Sequence, residues 1–100
     1  MKYLELKNTV EKLLDFMERY NLDDYNERLV KRNLNELLYA IDIDEIDLKK
    51  KKEINDILYS LFPPRGGLTE MYVADDREKM NKINDELGEL KKKLANYELI

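Results

Sequence analysis

Pro63-Pro64-Arg65-Gly66-Gly67 holds both prolines and two of the three glycines of a 100-residue chain. Proline fixes φ and removes an amide donor, whereas paired glycines reach φ values closed to other residues, so this pentapeptide ends one element before another begins. On either side of it the pattern is helical. So little turn chemistry elsewhere excludes a sandwich or barrel, which needs a turn signal about every ten residues.

Downstream of the break lies the clearest helix. Met80, Ile83, Leu87, Leu90, Leu94 and Tyr97 alternate at three and four residues, a heptad seam on a helix predicted over residues 75–99, with Glu86 and Glu89 set against Lys91 to Lys93. Asp75 and Asp76 are its cap candidates. Between break and helix, Leu68-Thr69-Glu70-Met71-Tyr72-Val73 reads as an apolar connector that runs as a strand over the bundle.

Upstream, residues 1–62 read as three shorter helices. The first carries Tyr3, Leu6, Val10, Leu13, Met17 and Tyr20 on one stripe, broadened by Leu14 and Phe16, and Asn8 or Thr9 is a candidate cap that would leave residues 3–6 extended. Asn21-Leu22-Asp23-Asp24 breaks that stripe, and Asp23 or Asp24 caps a second helix over Tyr25 to Ala40, burying Leu29 or Val30, Leu34, Leu37, Leu38 and Ile41. Asp47 caps the third, Leu48 to Phe62, with Leu48, Ile54, Ile57, Leu58 and Leu61 on one face. Four lysines, Lys49 to Lys52, fill its first turns, where cations oppose the helix dipole. The expected architecture is one all-α domain: a three-helix part over 1–62, a Pro/Gly corner and connector over 63–74, and the long helix over 75–99.

Hydrophobic residues make up 43% of the chain and charged residues 40%, too apolar for disorder and suited to amphipathic helices with solvated faces. The formal net charge of −4 repels phosphate backbones and argues against nucleic acid as a partner. A basic face would arise only if Lys49 to Lys52 packed beside Arg28, Lys31 and Arg32. Neither cysteine nor histidine occurs, which removes disulfides, thiolate chemistry, the commonest general base and the usual transition-metal ligands. The charged start Met1-Lys2-Tyr3-Leu4-Glu5-Leu6-Lys7 is unlike a signal peptide and no apolar run approaches 18 residues, so a cytoplasmic protein with no membrane contact is expected. Abundant Lys, Asn, Ile and Glu fit the codon bias of an AT-rich bacterial or phage genome.

No catalytic residue, cofactor or metal site is expected. Ser60 is the single serine and has no histidine to activate it. Asp42 to Asp47 with Glu53 has the length of a calcium loop, but the position that must be glycine is Asp47 and a ligand position holds Ile46. Two candidate sites remain. The stripe Met80, Ile83, Leu87, Leu90, Leu94 and Tyr97 packs either inside the bundle or against a protein partner or second copy, and Gly88 within it would admit another helix closely. Arg65, Gly66 and Gly67 could hold an anion through a forked cation and glycine amides, whereas the competing reading of this corner is rigid and purely structural.

Leu13-Leu14-Asp15-Phe16, Tyr20-Asn21-Leu22, Arg32-Asn33-Leu34-Asn35 with Leu37-Leu38, and Ile57-Leu58-Tyr59-Ser60-Leu61-Phe62-Pro63-Pro64 together resemble the helical N-terminal region of Gram-positive-type galactose-1-phosphate uridylyltransferases over about half the chain. The nucleotide-binding and nucleophilic histidines of that family have no counterpart here. The resemblance therefore implies a related helical module without the chemistry, and it transfers no site residue. The functional expectation is a non-enzymatic helical interaction or oligomerisation module, a bacterial or phage regulatory or adaptor protein acting through its C-terminal helix. The alternative is an accessory domain that binds a phosphate-bearing or nucleotide ligand at the Pro-Pro-Arg-Gly-Gly loop.

Overall fold

Leu6, Val10, Leu13 and Met17 are all fully buried, and their common stripe draws the first helix back to the start of the chain. In the computed structural model, which describes residues 2–42, 47–63, 66–73 and 77–96 (backbone only at 2, 3, 77 and 78), helix α1 spans Lys2–Arg19. The expected extended lead-in and the cap at Asn8 or Thr9 are thus corrected. The Thr9 hydroxyl donates instead to the Glu5 carbonyl one turn back at 2.9 Å, because burial of Leu6 decides the conformation of this turn.

α1 ends as its sequence implies. Asn21 takes φ of 53°, the Leu22 amide donates to Met17 O at 2.9 Å and the Asn21 amide to Glu18 O at 3.2 Å, which together form a Schellman motif with buried Leu22 closing over Met17. Asp24 then caps α2 (Tyr25–Ile41) through a full capping box. Its carboxylate accepts from the Glu27 amide at 2.7 Å, and the Glu27 carboxylate accepts from the Asp24 amide at 2.9 Å. Val30, Leu34, Leu37, Ala40 and Ile41 form its buried face.

α3 spans Leu48–Ser60, capped by Asp47, whose carboxylate accepts from the Lys50 amide at 2.8 Å. Ile54 and Leu58 face the core, but Leu48 is 83% exposed, which corrects its expected place on the inner face. Six residues of helix put it about 120° around the axis from Ile54. Asp42 lies outside α2, and the calcium-loop candidates Ile43 to Ile46 lie outside the described residues.

Past the corner the chain makes a 3₁₀ turn at Gly67–Glu70 that leads into extended Met71, and residues 71–73 form no strand, which corrects that expectation. α4 then spans Arg77–Ala95, and its cap candidates Asp75 and Asp76 lie outside the described residues. Among the described residues there are four α-helices and no strand, a small all-α bundle. The principal packings are α4 on α1, α1 on α2, α2 on α3 and the 3₁₀ turn on α2. That order makes α1 and α2 the inner helices and gives a body of 46 × 25 × 20 Å.

Candidate functional site

The α4 stripe is enclosed by its own chain. Leu87, Leu90 and Leu94 are 1%, 7% and 1% exposed and belong to the common core, with Ile83 half-buried against it and Met80 half-exposed at the helix start. Of the two readings of this seam, packing inside the bundle is the one present. Leu87, Leu90 and Leu94, expected to meet a partner, are thus covered by their own bundle, whereas Met80 and Ile83 of the same stripe keep part of their surface open. Tyr97 lies outside the described residues. Arg19 ties the two helices at their rim, 3.6 Å from Glu86 and stacked over Phe16 and Tyr20 at 5.9 and 5.5 Å.

Gly88 points away from this contact. A Cβ built there meets no atom within 4 Å, which corrects the expectation of a close helix approach. Gly88→Ala is therefore expected to stabilise the chain by up to about 1 kcal/mol, read as a higher urea midpoint. A lower midpoint would mean that another helix does press on this position.

The corner is a joint held by two asparagines. Asn26 on α2 clasps Gly67, its Oδ1 accepting from the Gly67 amide at 2.7 Å and its Nδ2 donating to the Gly67 carbonyl at 3.1 Å. On α4, Asn84 clasps Val73 in the same way, accepting from its amide at 2.8 Å and donating to its carbonyl at 2.9 Å. Between them Leu68, Met71 and Val73 point into the core, and the Lys91 ammonium donates to the Met71 carbonyl. Partial burial lowers the Lys91 pKa below the ordinary lysine value. The Gly67 amide is thus already satisfied inside the chain, so it is not the anion donor expected of it. Gly66 has φ of 80°, and Pro64 and Arg65 lie outside the described residues.

The acidic hollow beside this joint has the same structural character. It holds about 280 Å³ between Leu22, Asp24, Asn26, Glu27, Glu70, Met71 and Tyr72, yet Asp24 and Glu27 are engaged in the α2 capping box and Asn26 in the clasp.

Large apolar side chains stay outward at Leu4, Leu48, Tyr59 and Tyr72 singly, and as a line on the opposite face of α2, beside the groove it makes with α3. Tyr25, Leu29 and Tyr39 are 77%, 41% and 83% exposed, and Arg32 and Glu36 complete the same line, 3.4 Å apart as an exposed pair. Beside them two contiguous hollows of about 460 and 500 Å³ share half-buried Ile57, Glu53 and Glu36. α2 and α3 do pack together, but no uniform basic face results. Lys49, Lys52 and Arg32 alternate along the groove with Glu36, Glu53 and Asp56, Lys50 pairs with Glu53 at 3.2 Å, and Arg28 and Lys31 turn to Asp23 at 3.9 and 3.7 Å. Ser60 donates to Asp56 O at 2.9 Å, so its hydroxyl is engaged by its own helix.

This outward α2 line had a weak sequence signal, apolar residues at 25, 29 and 39 with charged Arg32 and Glu36 between them, and the unbroken 4-3-4 stripe at 30, 34, 37 and 41 on the inner face overshadows it. No group of three metal-ligating side chains forms among the described residues, and none of their helices is long and apolar enough to cross a membrane. No protein-family model, curated protein or solved structure matches the chain, and its functional reading rests on these surfaces.

Proposed function

We propose that this chain is a small non-enzymatic helical module that works by binding protein, and that it binds through the outward face of α2 and the α2–α3 groove. The observation that carries this reading is the exchange of roles between two apolar stripes. Leu87, Leu90 and Leu94 of α4 are enclosed, whereas Tyr25, Leu29 and Tyr39 of α2 lie in the open at helical spacing. Exposed aromatic side chains are costly to hydrate and are over-represented at interface centres, particularly beside arginine, which Arg32 supplies. The groove offers an apolar floor at Ile57 with charges of both signs on its walls, the anatomy of a protein interface more than of a small-molecule pocket. A chain with no histidine or cysteine, whose one serine is bonded to its own helix, also fits binding better than catalysis.

Photo-crosslinking tests the surface directly. With a benzophenone amino acid at position 39, irradiated cells are expected to yield discrete protein adducts, whereas the same probe at exposed position 89 on α4 yields none. Adducts from 89 and none from 39 would return the function to the α4 side and overturn the reading.

A further inference from the structure

The outward line of α2 has an internal symmetry that names its occupant. Leu29, Arg32, Glu36 and Tyr39 are separated by intervals of three, four and three residues, a spacing that reads the same in both directions about the level of Leu34. At 100° per residue the four lie within about 80° of one another, on the side of α2 away from buried Leu34 and Leu37. All four are solvent-exposed in the single chain.

A two-fold axis passing through the level of Leu34, perpendicular to α2, sets a second copy of the helix antiparallel to the first. Arg32 then lies level with Glu36 of the second copy, and Glu36 with its Arg32. Each such pair is displaced about 3 Å along the axis from the symmetry centre. The intrahelical Arg32–Glu36 contact at 3.4 Å becomes one side of a ring of four alternating charges. Leu29 falls at the level of the second copy's Tyr39, beside the hollow floored by Ile57, so each end of the ring is closed by an aliphatic–aromatic pair. A parallel arrangement would instead set arginine on arginine and glutamate on glutamate. The charge order on this face is therefore complementary to an antiparallel copy of itself.

We infer that the occupant of this surface is a second copy of the same chain, bound as an antiparallel two-fold dimer through α2 with Arg32 and Glu36 at its centre. This rests on the interaction reading above and sharpens it. The interface is isologous, so it closes at two copies and leaves the α4 side out of the contact.

Sedimentation velocity of the full chain between about 1 and 300 µM is expected to show a monomer–dimer equilibrium. Arg32→Glu makes the centre wholly acidic and Glu36→Arg makes it wholly basic, and each alone is expected to weaken dimerisation at least about tenfold with helical circular dichroism unchanged. An equimolar mixture of the two variants is expected to restore association, because an acidic centre then faces a basic one. A parent that stays monomeric throughout the range overturns the inference. Variants that dimerise like the parent, or a mixture no better associated than its components, do the same. Adducts from position 39 that contain other proteins but never a second copy would overturn the self-association and leave the binding role standing, whereas no adducts at all would remove both.

Discussion

Leu87→Glu is expected to unfold the chain at room temperature, and Leu94→Glu to do the same. Both leucines are 1% exposed, so the substitution removes a buried aliphatic group and puts a carboxylate in its place. Loss of the aliphatic contacts alone costs about 2–5 kcal/mol in a leucine-to-alanine change. A carboxylate with no partner at that depth adds a desolvation penalty of several kcal/mol, or is neutralised by a raised pKa at comparable cost near neutral pH. A domain of this size holds a total stability of about 5–15 kcal/mol, so the two terms together consume most or all of it. Far-ultraviolet circular dichroism at 25 °C distinguishes the possibilities. The variants should lose most of the helical signal of the parent, while Tyr39→Glu on the outward face of α2 should keep all of it. If α4 presented its stripe to a partner and not to α1, Leu87→Glu would give a folded monomer with a parent-like melt, and that result would overturn the placement of α4.

The elements that could be foreseen are those whose signals are local. The break over Asn21 to Asp24 and a cap of α2 at Asp23 or Asp24 are legible because such signals close within a few residues, while the choice of Asp24, its box with Glu27 and the Schellman turn at Asn21 come from the structure. The all-α architecture follows similarly from the 3-4 spacing of apolar residues. The start of α1 escaped such reading because no local cap marks it, and the packing of Leu6 extends the helix past two plausible caps. Leu48 escaped because a residue one third of a turn off the core line still resembles a member of it. The clasp between Asn26 and Gly67 joins residues 41 apart, and an asparagine in a helix carries no mark of the backbone it will meet. The role of α4 was undetermined for a different reason. A seam two residues wide satisfies a neighbouring helix of the same chain and a separate molecule equally well, and the choice is made by the apolar surface of α1. With that stripe covered, Tyr25, Leu29 and Tyr39 of α2 are among the large apolar side chains left open to solvent.

Gly67→Ala is expected to destabilise the fold by at least about 2 kcal/mol, which for a chain of this length lowers the melting temperature by roughly 8–16 °C. Two separate physical demands converge on this residue. Its φ of 61° lies in the left-handed region, where a Cβ carries a steric penalty. A Cβ placed there also comes 2.5 Å from Pro63 Cδ and 2.7 Å from the Leu61 carbonyl oxygen. Neither neighbour is the flexible end of a side chain. The Leu61 carbonyl is fixed by accepting from the Leu68 amide at 2.9 Å, so relief requires the backbone of the joint to move. Such a movement pulls Gly67 away from Asn26 and disturbs buried Leu68, which extends the damage to the packing of the 3₁₀ turn on α2. Asn26→Ala breaks the same clasp from the other side, leaving part-buried backbone groups without partners at a cost of about 1–3 kcal/mol. Because both substitutions dismantle one joint, the double variant should lose measurably less than the sum of the two single losses in urea unfolding. Strict additivity would show that Gly67 and Asn26 act independently and that the corner is not held as a unit. Were Gly67→Ala to cost under about 0.5 kcal/mol, the left-handed conformation itself would be ruled out.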